Sequence, residues 1–160
     1  MSERENILEL KNVVYSFHTY GGEVKAVRDV SYEVRQGEIL GIVGESGCGK
    51  SVTAQCILRL NPEPPGFFEG GEILYKGQDV LKMSKKEIRK IRGREIGFVF
   101  QDPMTSLNPT MRVGAQIEEV FLGRTDVSKK EVKERAMDIM RLVGISDVEK
   151  RYRQYPHELS

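Results

Sequence analysis

Apolar and polar residues alternate in two stretches near the start of the chain. The alternating apolar positions are Leu8, Leu10 and Val14, then Val30, Tyr32 and Val34. A period of two is typical of a strand with one buried face. A turn at Gln36-Gly37 follows them. These stretches therefore predict an antiparallel β flank over residues 1–38, and a strand-like run at about 67–80 is predicted to belong to the same flank.

Two other apolar runs have no polar face. The sequence of Ile39–Val43 is Ile-Leu-Gly-Ile-Val, and that of Ile96–Phe100 is Ile-Gly-Phe-Val-Phe. Continuous apolar runs of this length are typical of strands that are covered on both faces. We therefore expect two central strands, the first in a strand-and-helix unit over 39–60 and the second within 96–102.

Helical signals dominate the rest of the chain. Ser84-Lys-Lys-Glu87 and Ser128-Lys-Lys-Glu131 are capping boxes, in which the Ser and Glu side chains satisfy each other's backbone N–H groups. After the second box, one apolar stripe predicts a helix that ends at Gly144. The stripe consists of Val132, Ala136, Ile139, Met140 and Val143. Residues 103–160 are therefore predicted to be helical, beside an α/β core.

Charge and hydropathy narrow the functional classes. The 160 residues carry 25 basic and 24 acidic side chains, whereas nucleic-acid binders usually show a basic excess. The charged N-terminus has no signal-peptide core, and no apolar run approaches the roughly 20 residues that span a bilayer. We expect a cytoplasmic protein without a transmembrane segment of its own. Cys48 and Cys56 have neither disulfide-framework nor zinc-site spacing.

The segment after the first apolar run matches the phosphate-loop pattern G-x-x-x-x-G-K-[ST]. A predicted strand precedes it and a predicted helix follows, which is the context that this motif requires. Its backbone N–H groups converge on phosphate oxygens, Lys50 reaches the β- and γ-phosphates, and the Ser51 hydroxyl ligates Mg²⁺. The candidate ATP-binding residues are Gly44, Glu45, Ser46, Gly47, Cys48, Gly49, Lys50, Ser51 and Val52. A glycine-rich turn without a ligand is the simpler alternative, and the Lys-Ser pair argues against it.

Four further segments carry a family resemblance. Gly97–Pro109, with its Gln101-Asp-Pro and Ser-Leu-Asn-Pro, is similar to the glutamine loop of ABC transporter ATPases, in the form typical of the dipeptide and oligopeptide importer group. Leu8–Phe17 resembles that family's first strand and adenine-stacking loop, and Ala26–Ser31 resembles the next strand. Tyr155–Ser160 resembles the approach to the ABC signature sequence. The resemblance covers the whole chain.

The resemblance implies an ATP hydrolase with an incomplete P-loop NTPase core, an antiparallel flank and part of a helical subdomain. Gln101 would be catalytic, at the attacking water, and would share the Mg²⁺ with Ser51. Phe17 would stack on adenine, with Tyr20 as the rival. The implied partners are the transporter's membrane subunits and a second ATP-binding subunit, at the inner face of the cell membrane. Nickel or oligosaccharide remains an alternative to peptide as the transported substrate.

The family pattern continues past the last residues with two glycines, a strand ending in Asp-Glu, and a histidine, none of which occurs here. We therefore expect an N-terminal fragment that ends inside the signature sequence and binds ATP but does not hydrolyse it. We also expect this fragment to self-associate or to fold incompletely. Asp102 could replace the missing magnesium aspartate, but Pro103 follows it directly, which favours a loop residue.

Two functions from other classes stay open at this point. A complete small phosphate-loop kinase or GTPase is one, although the guanine-reading Asn-Lys-x-Asp is absent. Arg89, Arg92 and Arg94 could form a kinase lid, but a solvated helix face is the simpler interpretation. The other is a non-catalytic interaction module whose loop is structural.

Overall fold

The structure is a computed structural model that describes residues 5–101, 106–122 and 127–159. The chain divides into two compact units, Met1–Gly97 and Phe98–Ser160. Among the described helices, none combines the length and the apolar character that crossing a membrane requires.

A four-stranded antiparallel sheet forms the base of the first unit. The strands are β1 (Asn6–Thr19), β2 (Gly22–Arg35), β3 (Gly66–Tyr75) and β4 (Gln78–Asp79). They lie in the order β2-β1-β3-β4, so β1 pairs with both long neighbours. This sheet is the antiparallel flank that the alternation predicts.

The buried face of β1 changes at Asn12. The φ of Asn12 is 49°, and the pairing with β2 shifts between Leu10 and Val13. An irregularity of this kind moves the side chains that follow it to the opposite face. Val13 and Tyr15 are therefore fully buried, whereas Val14, which the strict alternation places in the core, is half-buried.

Two helices complete the first unit, α1 (Lys50–Ile57) and α2 (Lys85–Ile91). The capping box predicted for α2 is confirmed, because Glu87 N donates to Ser84 Oγ at 3.3 Å and Ser84 N donates to Glu87 Oε2 at 2.8 Å. The apolar positions Ile88 and Ile91 are buried, as the pattern predicts.

The prediction of two buried central strands is wrong for this chain. Neither Ile39–Val43 nor Ile96–Phe100 forms a strand, and the side chains of Ile39 and Val99 are 97% and 95% exposed. A strand is held together by hydrogen bonds to a neighbour. Among the described residues neither run has such a neighbour, apart from an isolated bridge between Arg92 and Ile96.

The second unit is helical, with α3 (Val113–Glu119), α4 (Lys129–Leu142) and α5 (Val148–Arg151). Its core joins one buried residue from each helix: Val113, Met140 and Val148. The stripe on α4 is narrower than predicted, because Ile139 and Val143 are 41% and 66% exposed.

The start of α4 is capped on one side only. Ser128 Oγ accepts a hydrogen bond from Glu131 N, as a capping box requires. The Glu131 carboxylate instead accepts from Arg135 Nη2 at 2.8 Å. Within the described segment 127–159, the carboxylate makes no return bond to the Ser128 N–H. The predicted box is therefore half formed, because a nearby arginine competes for the carboxylate. The helix ends at Leu142, and Gly144 follows with a φ of 81°, which confirms the predicted stop.

Candidate functional site

The candidate phosphate loop connects Val43 to α1 through a sharp turn. Gly49 has a φ of 93°, and a Cβ built there would lie 2.2 Å from Ala26 O on β2. Only glycine fits this close approach of two backbones without movement. The loop therefore lies directly against β2, which fixes the start of α1 on the sheet.

The first turn of α1 has free hydrogen-bonding capacity. Gly49 is the N-cap, no side chain caps the helix, and the first turn contains no acidic residue. The first N–H groups of an α-helix have no partner inside the helix. Together with the partial positive charge of the helix N-terminus, these donors favour an anion at this position.

The Lys50 side chain folds back over the loop. Its Nζ donates to Gly44 O at 2.7 Å, to Glu45 O at 2.6 Å and to Cys48 Sγ at 3.4 Å. All three acceptors are neutral, and within the described part of the chain no carboxylate lies at ion-pair distance from Lys50. The ammonium charge is thus held at the loop without compensation.

The residues of this loop have the chemistry that binds a nucleoside triphosphate with Mg²⁺. The uncapped N–H groups and the uncompensated ammonium suit phosphate oxygens, and the exposed Ser51 hydroxyl is an oxygen donor of the kind that Mg²⁺ prefers. Magnesium is usually bound by one or two protein groups together with the substrate's phosphates. The loop supplies one such group.

The two aromatic candidates have different surroundings. Phe17 lies near the end of β1, half-buried, with its ring edge-to-face on the buried Tyr15 at 5.3 Å. Tyr15 in turn contacts Phe68 of β3 at 4.7 Å. Tyr20 lies in the turn between β1 and β2 with its side chain fully exposed. The sheet therefore holds the Phe17 ring in place and leaves Tyr20 unsupported.

The structure places the glutamine candidate in the other unit. Gln101 is exposed and follows the irregular segment 97–100, in which Phe98 and Phe100 contact each other edge-to-face at 4.8 Å. The loop and Phe17 belong to the first unit. Asp102 and Ser160 lie outside the described residues.

Arg92 holds the opposite end of α1. Its Nε donates to Leu58 O at 2.8 Å and its Nη2 to Arg59 O at 2.6 Å. A cation here satisfies carbonyls that the helix leaves unpaired and opposes the negative end of its dipole. The interpretation of Arg92 as part of a solvated face is therefore wrong. Because 34 residues separate it from Leu58, no local pattern could have predicted this contact.

The buried side chain of Asn61 makes hydrogen bonds to the same helix. Its Nδ2 donates to Val52 O at 3.2 Å and to Cys56 Sγ at 3.3 Å, and Asn61 is only 6% exposed. Burial raises the pKa of the Cys56 thiol to about 12, so Cys56 is a neutral core residue. The phosphate-loop helix is thus fixed at both of its ends.

Comparison with known proteins gives concordant matches. The model of the ABC transporter family matches residues 27–160. The oligopeptide transport ATP-binding protein OppD of Bacillus subtilis (strain 168) is 55% identical over 154 residues, which are 96% of this chain and 43% of that protein. The dipeptide transport ATP-binding protein DppD of the same strain is 48% identical, over 98% of this chain and 47% of that protein.

A solved structure agrees with these sequence matches. The ATP-binding cassette MJ0796, in a dimeric post-hydrolysis state bound to ADP and Pi, superimposes with a TM-score of 0.79 at 26% identity. The match covers 96% of this chain and 63% of that one. By contrast, the chain spans less than half the length of the two transport relatives, OppD and DppD.

Proposed function

The chain belongs to the ABC transporter family, and we propose that it is the ATP-binding part of a subunit that powers peptide import. The family match and the cassette fold support ATP binding. The peptide assignment is supported by the names of the two relatives, which are an oligopeptide and a dipeptide transport ATP-binding protein.

One observation carries the proposal. Lys50 Nζ is held between Gly44 O and Glu45 O, over the uncapped start of α1. On binding ATP, the ammonium exchanges these neutral carbonyls for charged phosphate oxygens, which are stronger acceptors. The affinity of the loop for phosphate follows from this gain.

The remaining residues take distinct roles in the proposed site. Ser51 ligates Mg²⁺ through its hydroxyl, and the backbone N–H groups of the loop orient the phosphates. Phe17, supported by Tyr15, stacks on the adenine. Gln101 is the proposed catalytic residue, which would lie at the attacking water and share the Mg²⁺ with Ser51. Bound Mg·ATP supplies the phosphoryl group whose transfer to water drives transport.

The proposed partners follow from the same comparisons. A cassette that forms a dimer supports a second ATP-binding subunit as one partner. The transport relatives support membrane subunits as the other, contacted through the second unit and the glutamine segment. These proposed partners support a location in the cytoplasm, on the inner face of the cell membrane.

Calorimetric titration of the chain with Mg·ATP and with Mg·GTP tests the proposal. We expect ATP to bind and GTP to bind no more tightly. A clear preference for GTP would favour a small GTPase, and the absence of binding by either nucleotide would favour a non-catalytic module.

A further inference from the structure

A cationic depression of about 550 Å³ lies in the first unit, at the C-terminal end of α1. Lys50, at the other end of this helix, is about 12 Å away along the axis, since each residue adds about 1.5 Å. Five cationic side chains and one carboxylate line the depression, which we call the α1–α2 pocket. They are Arg59, Lys85, Lys86, Arg89, Arg92 and Glu63.

Two of these cations are fixed by backbone carbonyls. Arg59 Nη1 donates to Met83 O at 3.0 Å, and Arg92 donates to the end of α1. Arg59 also has a φ of 50°, in the left-handed region where glycine or asparagine usually ends a helix. Both guanidinium groups are therefore held in place before any ligand arrives, which lowers the entropy cost of binding.

The positive charge of the pocket is poorly compensated. Arg59 Nη2 lies 3.8 Å from Glu63 Oε2, at the long limit of an ion pair. Lys85, Lys86 and Arg89 are exposed, and none of them forms an ion pair with a carboxylate in the described part of the chain. Burial, followed by the charges of Arg59 and Arg89, lowers the pKa of Arg92. Arg59 and Arg89 therefore destabilise the charged form of Arg92.

We propose that the α1–α2 pocket binds a small anion that carries a pyrophosphate or multiply charged phosphate group, as a site separate from the phosphate loop. Guanidinium groups match phosphate geometry with paired donors, and the two lysines add mobile point charges. A single carboxylate would leave most of the pocket's charge uncompensated and most of its volume empty. The pocket also exceeds what one inorganic phosphate fills, so a larger phosphorylated anion fits better.

The test uses sodium pyrophosphate as the probe, in metal-free buffer, with the phosphate loop disabled by Lys50→Ala. We expect this chain to bind pyrophosphate in calorimetry, with an affinity that falls as salt rises. Adding Lys85→Glu and Lys86→Glu should weaken binding about tenfold or more, since two exposed attractive charges become repulsive. The new carboxylates lie in the first turn of α2, where they stabilise the helix, so folding is retained.

The chain offers a matched control for this experiment. Lys129 and Lys130 occupy the same positions in a second Ser-Lys-Lys-Glu sequence, at the start of α4. Lys129→Glu with Lys130→Glu changes the net charge equally and should leave pyrophosphate binding unchanged. Arg89→Gln, a second variant inside the pocket, should weaken binding several-fold without altering either capping sequence.

Sedimentation with vesicles that contain phosphatidic acid, whose phosphate monoester can carry two negative charges, distinguishes a lipid headgroup from a soluble phosphate. Pocket-dependent binding to vesicles that pyrophosphate displaces would identify the lipid as the source, whereas pyrophosphate binding without vesicle binding would identify a soluble anion. Failure to bind either probe, or equal losses in the two double-lysine variants, overturns the proposal. Because Lys50→Ala is present throughout, these outcomes do not depend on ATP binding at the loop.

Discussion

Two glycines of the phosphate loop allow a direct test of how the loop sits on the sheet. Gly47 and Gly49 have φ values of 81° and 93°, so replacement by alanine strains the backbone at both positions. The left-handed conformation costs an L-residue roughly 1–2 kcal/mol. Alanine also lowers the conformational entropy of the unfolded chain, which stabilises the folded state by about 0.4–1 kcal/mol in each variant. These contributions are common to both substitutions and cancel in the comparison.

The two positions differ in what a Cβ would meet. At Gly47 nothing lies within 4 Å, whereas at Gly49 the new carbon would lie 2.2 Å from Ala26 O. An ordinary C···O contact is about 3.3–3.6 Å, so the loop or β2 must move by about 1 Å. Overpacking of this kind typically costs about 1–3 kcal/mol. Gly49→Ala should therefore be less stable than Gly47→Ala by about 1–3 kcal/mol.

Urea unfolding measures this difference. The chain has no tryptophan and six tyrosines, so circular dichroism at 222 nm or tyrosine fluorescence can follow the transition. We expect a lower midpoint for Gly49→Ala with a similar slope, since the free energy changes and the exposed surface does not. Equal midpoints, or a lower one for Gly47→Ala, would refute the close packing of the loop on β2.

Three further predictions concern the nucleotide and the exposed apolar runs. Phe17→Ala should weaken ATP binding by roughly 1–3 kcal/mol, in analogy with base stacking on aromatic side chains, and Tyr20→Ala should cost less; the opposite ranking in calorimetry would identify Tyr20 as the stacking residue. The 160 residues alone should release no more phosphate from ATP than their Lys50→Ala variant, because phosphoryl transfer needs a positioned water and a metal held from two sides, whereas the phosphate loop supplies only the Ser51 hydroxyl as a metal ligand; steady release that Lys50→Ala abolishes would contradict this. The chain should self-associate at micromolar concentration through the exposed segment Ile39–Val43, and Ile39→Lys with Val43→Lys should reduce association in light scattering; a monodisperse unmodified chain would remove this expectation.

The features that the sequence predicts correctly depend on neighbours in the chain. The Ser84 box and the stop at Gly144 involve residues a few positions apart, so their patterns specify them fully. The phosphate loop is likewise a single contiguous motif, and its role in binding ATP stays a prediction. Short-range chemistry of this kind is predictable from the order of the residues alone.

The features that the sequence misses depend on distant partners. Ile39–Val43 has the composition of a buried strand, but a strand also needs a neighbour, and the described residues offer none. The shift at Asn12 is set by pairing with β2, and the contact of Arg92 with α1 joins residues 33 and 34 positions apart. Composition and periodicity do not encode such pairings.

The central claim is that the loop at the start of α1 binds the phosphates of ATP through Lys50. Calorimetric titration of Lys50→Ala with Mg·ATP tests it most directly. Loss of a charged hydrogen bond of roughly 1.5–3 kcal/mol predicts affinity about 10–100-fold weaker than that of the unmodified chain. Lys11→Ala, which removes an exposed lysine paired with Glu9 at 3.1 Å, should bind ATP normally. Unchanged affinity in Lys50→Ala would contradict the claim.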